Sequence, residues 1–92
     1  MSRSSDLAAE QSIRIPQDLA LHARPAGALA VHASQFAADV VLAANGKRAN
    51  AKSILEVLAL GVTGGELVQL SASGDDAVQA VAELAKLLSQ LG

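Results

Sequence analysis

The stretch LALHARPAGALAVH, Leu19 to His32, places His22 and Arg24 directly before a proline and an alanine-rich helical pattern. A neutral imidazole nitrogen is a competent nucleophile. The first turn of a helix offers unpaired backbone N–H groups and the positive end of the helix dipole, which together bind anions. Arginine adds a planar cation that can hold two phosphate oxygens at once. The combination indicates a histidine that accepts a phosphoryl group, although a histidine ahead of a helix is otherwise an ordinary surface residue.

A helix is predicted directly after His22, with Pro25 tolerated in its first turn. Apolar residues recur at helical spacing on one face of it: Ala26, Leu29, Ala30, Ala33 and Phe36. Before the helix, Ile13 and Ile15 alternate with polar neighbours, which predicts a short half-buried strand that ends at Pro16. Residues 1–11 are small and polar and are predicted to form a flexible tail, so a single domain spans residues 12–92.

Two further signals predict the middle of the chain. Asn45-Gly46 is typical of a type I′ turn that joins two antiparallel strands, 40–44 and 47–51. The segment SILEVLALG then predicts a short helix, in which Ser53 and Glu56 form a reciprocal capping box and Gly61 is the stop.

The remaining chain predicts one more strand and a terminal helix. Val68, Leu70 and Ala72 alternate with polar residues, as in a strand with one buried face. In the last segment Asp76 and Gln79 occupy capping-box positions, and the buried face is Ala77, Val81, Leu84, Leu88 and Leu91. The order is βαββαβα. Amphipathic helices and alternating strands favour an α+β open-faced sandwich, in which helices cover one face of a four-stranded sheet.

Composition excludes several classes of protein. The 92 residues contain no cysteine, so a disulfide framework, a cysteine metal site and thiol catalysis are excluded. A net charge of −2 and the absence of Tyr and Trp argue against a nucleic-acid role. We expect a soluble, cytoplasmic protein, because no signal segment and no apolar run of membrane-spanning length occurs. No cofactor is expected. His32 is expected to be an exposed helix residue, and no metal site is predicted.

Two motifs at compatible spacing carry a resemblance to a known family. LHARPA around His22 and KSIL around Ser53 resemble the active-site and serine-centred signatures of HPr, the histidine-containing phosphocarrier family of the bacterial phosphoenolpyruvate-dependent sugar phosphotransferase system. The resemblance runs from about Ser12 to the C-terminus. It implies an antiparallel sheet with three helices on one side. It also implies that His22 takes a phosphoryl group from Enzyme I on Nδ1 and passes it to enzyme IIA, while Arg24 and the C-terminal carboxylate lie close to that site.

The resemblance leaves the role of Ser53 open. It implies phosphorylation by an HPr kinase in some relatives, whereas an ordinary helix N-cap explains the same residue. The alternative function is accordingly a regulatory binding module, of the nitrogen-branch or catabolite-repression type, with little role in transport. Partner contacts are expected at Ala23, Pro25, Leu55 and Leu58, of which Leu55 is the exposed member, and a carrier of this kind is expected to be a monomer.

Two departures from the family pattern bear on partner choice. Ala20 replaces a glycine commonly found two residues before the active histidine, and the first helix lacks the lysines that many relatives use for docking. Glu56 adds negative charge near the expected interface. Ala20 is expected to change the path of the loop and the phosphate geometry but not the fold. Because charges set association rates above all, the missing lysines and Glu56 are expected to slow binding or tune it to a different Enzyme I.

Overall fold

The structure is a computed structural model that describes residues 8–18 and 22–90. Four strands and three helices follow one another in the predicted order, βαββαβα. Their bounds are β1 Ala8–Arg14, α1 Ala23–Ala33, β2 Asp39–Ala44, β3 Lys47–Asn50, α2 Ile54–Ala59, β4 Leu67–Ser73 and α3 Ala77–Gln90.

The four strands form one antiparallel sheet in the order β1-β4-β2-β3. Side chains alternate across the sheet, so that one face is buried beneath the helices and the other meets solvent. The buried face carries Ile13, Val40, Leu42, Val68, Leu70 and Ala72. The predicted α+β open-faced sandwich is confirmed.

The hairpin between β2 and β3 turns at Asn45 and Gly46, whose φ values are +56° and +74°. Positive φ at both central positions defines the type I′ turn, which matches the twist of the flanking strands. The predicted turn is therefore confirmed. The Asn45 side chain also donates to the Leu60 carbonyl oxygen at 2.9 Å, which ties the hairpin to the end of α2.

The core is aliphatic throughout, and no polar or charged side chain is buried among the described residues. Its largest fully buried side chains include Ile15, Leu29, Leu42, Leu70, Leu84 and Leu88. Phe36 was placed on the buried face of the first helix by its spacing. In the structure α1 ends at Ala33, and Phe36 packs against the edge of the core only half-buried.

The first strand begins earlier than the sequence predicts. β1 starts at Ala8 and pairs with β4 from Ala8 opposite Ser73, so residues 8–11, predicted to belong to a flexible tail, lie in the sheet. Ile13 is the only fully buried residue of β1. Local composition therefore gave no strand signal, and the pairing is dictated by the free edge of β4. Residues 1–7 lie outside the described residues.

The capping box predicted for α3 does not form. The two carboxylate oxygens of Asp76 instead accept hydrogen bonds from the backbone N–H groups of Ala37 and Ala38, each at 2.8 Å, while the side chain of Gln79 donates to Glu83 at 2.9 Å. Asp76 therefore ties the loop after α1 to the start of α3. The predicted buried face of α3 is confirmed through Leu88, and Leu91 lies outside the described residues.

The longest helix, α3, has 14 residues. Within residues 8–18 and 22–90, no helix has the length and apolar character needed to cross a membrane.

Candidate functional site

His22 is the N-cap residue of α1. Its backbone is extended, with φ −78° and ψ −175°, and its carbonyl oxygen accepts the first helical hydrogen bond from Ala26 N–H at 2.9 Å. The imidazole is exposed and makes no capping hydrogen bond to the helix. Because the ring does not cap the helix, the first N–H groups of α1 stay available to an incoming anion.

The residues that follow His22 keep the helix start cationic. Ala23 and Arg24 are exposed and Pro25 is half-buried, and the first turn contains no acidic residue. Because proline has no N–H, the backbone donors of the first three helical positions are those of Ala23 and Arg24. The guanidinium of Arg24 adds a full charge to the partial charge of the helix end. The predicted pair thus lies together in one solvent-exposed turn.

Ser53, the centre of the second motif, is the N-cap of α2 and is half-buried. Its Oγ accepts a hydrogen bond from Glu56 N–H at 3.2 Å, which confirms one half of the predicted capping box. The reciprocal half is wrong: the Glu56 carboxylate accepts from Asn50 N–H at 2.8 Å, and Ser53 N–H donates to the Asn50 carbonyl. Glu56 therefore braces the end of β3 and does not cap its own helix.

Helices α1 and α2 pack side by side, and their exposed apolar side chains form one continuous surface. Val31 is 61% exposed, Ile54 42% and Leu55 80%. We call these three residues the α1–α2 patch. A shallow groove of about 480 Å³ runs through it, lined also by Ala30, Ser34, Lys52 and Ser53.

The sequence predicted part of this patch. Leu55 is exposed as expected, whereas Leu58 is half-buried against the core and contributes mainly to packing. Val31 and Ile54, which are exposed beside Leu55, were not among the residues predicted to contact partners. Helical spacing placed Val31 on the exposed side of α1, and only the packing of the two helices shows that it adjoins Ile54.

A second set of bonds surrounds the loop that follows α1. Lys52 Nζ donates to the Phe36 carbonyl oxygen at 2.9 Å. The pKa of Asp76 is lowered below its ordinary value, chiefly because Ala37 N–H donates to the carboxylate, with further contributions from Ala38 N–H and the charge of Lys52. This network connects the residue before Ser53 to the C-terminal end of α1.

His32 is exposed on α1, and its Nδ1 lies 2.9 Å from the Ala28 carbonyl oxygen, as expected of a surface helix residue. No group of three metal-ligating side chains occurs among residues 8–18 and 22–90. Ala20, two residues before His22, and the C-terminal carboxylate, expected near Arg24, lie outside the described residues.

Known proteins that resemble this chain share both its sequence pattern and its fold. The family model for the PTS HPr component phosphorylation site matches residues 9–90. The phosphocarrier protein HPr of Vibrio cholerae is 39% identical over 82 residues, which is 89% of this chain and 96% of the relative. The crystal structure of HPr from Bacillus anthracis superposes with a TM-score of 0.83 at 30% identity, covering 88% of this chain and 96% of the other. Crh, the catabolite repression HPr of Bacillus subtilis, superposes with a TM-score of 0.69 at 34% identity, covering 91% and 100%.

Proposed function

The chain belongs to the HPr family of phosphotransferase-system phosphocarriers, and from that premise we propose that His22 is the residue that carries the phosphoryl group. The single observation that carries this proposal is His22 itself. It is an exposed imidazole at the N-cap of α1, followed by Arg24 and without an acidic residue in the first turn. A carrier of this type relays a group between partners, so it needs a nucleophile and an anion site but no substrate pocket.

The proposed transfer consists of two displacements at phosphorus. In the first, the Nδ1 lone pair of His22 forms the new N–P bond while the bond between phosphorus and phosphorylated Enzyme I breaks. In the second, a nucleophile of enzyme IIA attacks the same phosphorus and His22 leaves with the N–P electron pair. Arg24 and the N–H groups at the start of α1 offset the charge on the phosphoryl oxygens in both steps. The physiological outcome that we propose is phosphoenolpyruvate-dependent sugar uptake.

Enzyme I and enzyme IIA are proposed to dock on the surface beside His22. Ala23 and Pro25 follow the nucleophile in the first turn of α1. The α1–α2 patch supplies exposed apolar area farther along the same helix, where a Cβ at Gly27 would lie 3.9 Å from Ile54 Cδ1. Apolar side chains with a polar surround are typical of the centre of a protein–protein contact. One surface that serves successive partners favours a monomeric carrier.

Labelling with phosphoenolpyruvate and catalytic Enzyme I tests the assignment. We expect one acid-labile phosphoryl group per chain in the wild type and none in His22→Ala, because the nucleophile is removed. His32→Ala is the matched control, since it removes the second histidine of the chain from an exposed position on the same helix and should be labelled normally. Wild-type labelling of His22→Ala would overturn the assignment.

A regulatory function is the second candidate, favoured by the likeness to Crh and by Ser53 at the start of α2. In this reading an HPr kinase phosphorylates Ser53 from ATP, and the modified chain binds a regulatory partner beside the α1–α2 patch. A phosphate at this N-cap would gain from the helix dipole. It would also lie one helical turn from the carboxylate of Glu56, which opposes the modification.

Incubation with ATP and an HPr kinase distinguishes the two candidates, because phosphoserine is stable in acid and phosphohistidine is not. Acid-stable label in the wild type and in His22→Ala, but not in Ser53→Ala, would support regulation. No acid-stable label would remove this candidate. The folded state of Ser53→Ala is checked by thermal unfolding, since the lost cap costs about 1 kcal/mol.

A further inference from the structure

The sheet has two outer edges, and they differ in how well they are protected against pairing with another chain. β3 has four residues, among them Lys47 and Arg48 and no acidic residue, so a second β3 would meet like charges. β1 has seven residues, which include two alanines and a serine but no lysine. In the described parts of the chain, β1 has a neighbouring strand on one side only. The β1 edge is therefore open to a further strand.

The hydrogen bonds at the end of β1 show which of its backbone groups face this edge. Ile15 N–H donates to the Glu66 carbonyl oxygen at 2.9 Å, and the Ile15 carbonyl oxygen accepts from Gly65 N–H at 2.8 Å. Because bonded and non-bonded positions alternate along an antiparallel strand, the odd-numbered residues of β1 all direct their backbone groups towards β4. The N–H and C=O groups of the even-numbered residues therefore point away from the sheet.

Two charged side chains of β1 lie at even-numbered positions on the solvent face. Glu10 and Arg14 are exposed, and each stands two residues from Ser12. One carboxylate oxygen of Glu10 accepts from Gln69 Nε2 at 3.0 Å, and Arg14 Nη1 donates to the Gly65 carbonyl oxygen at 2.8 Å. The carboxylate has a second oxygen and the guanidinium has further N–H groups, so both side chains have capacity for another partner.

A twofold axis at Ser12 makes this strand complementary to itself. When two copies of β1 run antiparallel with Ser12 opposite Ser12, Glu10 of each copy faces Arg14 of the other. Directly opposite side chains have Cβ atoms about 5 Å apart, which is within reach of an ion pair. The same alignment sets even-numbered positions opposite each other, so the free N–H and C=O groups of both edges meet in register.

The helix layer leaves this edge accessible. α3 packs across both β1 and β4, so its axis lies inward of the edge. Neighbouring strands are about 4.8 Å apart, whereas packed helices need about 8–10 Å between their axes. Two helices that are each set back by about half a strand spacing meet this requirement. The strands of two copies can therefore pair without overlap of their helices.

We propose that β1 is a self-association surface, along which two copies of this chain pair antiparallel about Ser12 into one continuous sheet. The proposal goes beyond the proposed function and does not depend on phosphoryl transfer. The α1–α2 patch stays free, since α2 packs against α1 and β3, at the opposite edge of the sheet. An edge contact of this kind buries less than about 1,200 Å², so association is weak, with a Kd on the order of 100 µM, and the dilute carrier stays monomeric.

Sedimentation equilibrium between about 10 µM and about 1 mM protein measures the association in the wild type and in two charge variants. Glu10→Arg places two arginines at each charge pair, and Arg14→Glu places two glutamates there. We expect Kd to rise about tenfold or more in each variant, because opposite charges become like charges.

An equimolar mixture of the two variants is the sharper test. One chain then carries two arginines and the other two glutamates, so opposite charges return at both pairs. We expect the mixed dimer to form with a Kd within about threefold of the wild type. Arg48→Glu is the matched control, since it makes the same change in net charge as Arg14→Glu but on β3, and its Kd should equal that of the wild type.

Amide hydrogen exchange of the wild type tests the edge without any variant, so it does not depend on how the variants fold. In dilute protein we expect the N–H groups of Glu10, Ser12 and Arg14 to exchange rapidly, while those of Gln11 and Ile13 are protected by β4. At about 1 mM the first three should exchange about threefold or more slowly, because each gains an acceptor on the second copy.

Four results would overturn the proposal. The first is a wild type that stays monomeric at about 1 mM, and the second is a dimer whose Kd neither charge variant changes. The third is a pair of folded variants that do not associate when mixed. The fourth is protection of the Glu10, Ser12 and Arg14 N–H groups already in dilute protein, because the edge is then covered within a single chain. None of these results bears on His22, whose labelling is measured separately.

Discussion

Single residues hold the loop between α1 and β2 against the helix layer. Asp76 accepts from two backbone N–H groups of this loop, and Lys52 donates to the Phe36 carbonyl. Gly74 completes the contact: a Cβ built on it would lie 2.8 Å from the Ala38 Cα. Charge, hydrogen bonding and the absence of a side chain thus act on the same few loop residues.

Asp76→Asn should lower stability at neutral pH, since an amide replaces a carboxylate that accepts two N–H donors. The folded-state pKa of Asp76 lies below its ordinary value of 3.8, so its contribution is complete above pH 3.8 and is lost as the pH falls through the folded-state value. Denaturant unfolding at pH 7 and pH 3 measures this. We expect the gap between wild type and variant to narrow in acid. Asp75→Asn, which removes an exposed neighbouring carboxylate, is the control, and an equal loss at pH 7 would contradict the prediction.

Replacing glycine by alanine should change the free energy of unfolding in opposite directions at Gly74 and at Gly27. Gly74→Ala meets the Ala38 backbone at a φ of +137° and should destabilise the protein by about 2–4 kcal/mol. Gly27→Ala lies inside α1, where the new methyl group would have Ile54 Cδ1 3.9 Å away, and should stabilise it by about 0.5–1 kcal/mol. Urea unfolding of both variants measures the difference. A destabilised Gly27→Ala would show that α1 and α2 are packed more tightly than these distances indicate.

Among the elements, α2 depends most on its surroundings. Six residues are too few for a helix to persist alone, and only Val57 is fully buried. The Ser53 cap, the brace from Glu56 to Asn50 and the packing against α1 stabilise it. Leu55 can therefore stay exposed, because α2 is stabilised by contacts that do not involve its side chain.

Leu55→Ser should weaken docking of Enzyme I without loss of fold. The exposed side chain contributes little to the core, while its removal takes apolar area from the centre of the α1–α2 patch, and we expect KM to rise about tenfold, or ~1.4 kcal/mol. The matched control is Val78→Ser on α3, because Val78 is also largely exposed but lies outside the patch. Steady-state transfer kinetics measure both. Equal effects of the two changes would contradict docking at the patch.

At the scale of the whole molecule, the charge is small and the proposed docking surface is apolar. The net charge is −2, and the exposed residues of α1 include Arg24 as their only arginine or lysine. Electrostatic steering by this surface is therefore weak, so partner association has to rely on apolar contact.

Transfer from Enzyme I should accordingly depend little on ionic strength. We expect kcat/KM to change by less than about threefold between roughly 50 and 500 mM salt, since screening acts on charge pairs and not on apolar contact. Val31→Lys adds a cation to the α1–α2 patch and tests whether a charge on this surface changes the dependence of kcat/KM on salt. A steep decline with salt in the wild type would show that charged residues outside the patch guide the encounter.

The sequence predicted the elements with strong local signals. The Asn45-Gly46 turn, the buried face of α1 as far as Ala33 and the alternation of β4 depend on residues near one another in the chain, and all three are confirmed. The position of His22 at the start of α1 is of the same kind. Signals within about ten residues were sufficient for them because backbone geometry and periodic burial are local properties.

Tertiary structure decided the features that depend on distant partners. Ala8–Gln11 became a strand because β4 offered an edge, and Asp76 left its expected cap because the N–H groups of Ala37 and Ala38 lay within reach. The Glu56 carboxylate likewise accepts from Asn50 N–H and not from the N–H of Ser53. The Asp76 and Glu56 carboxylates each had two sets of backbone N–H donors to choose between, one in their own helix and one in another element. Ala8–Gln11 had a partner only in β4. The sequence predicts the hydrogen bond within the helix, and only the packed chain shows which bond forms.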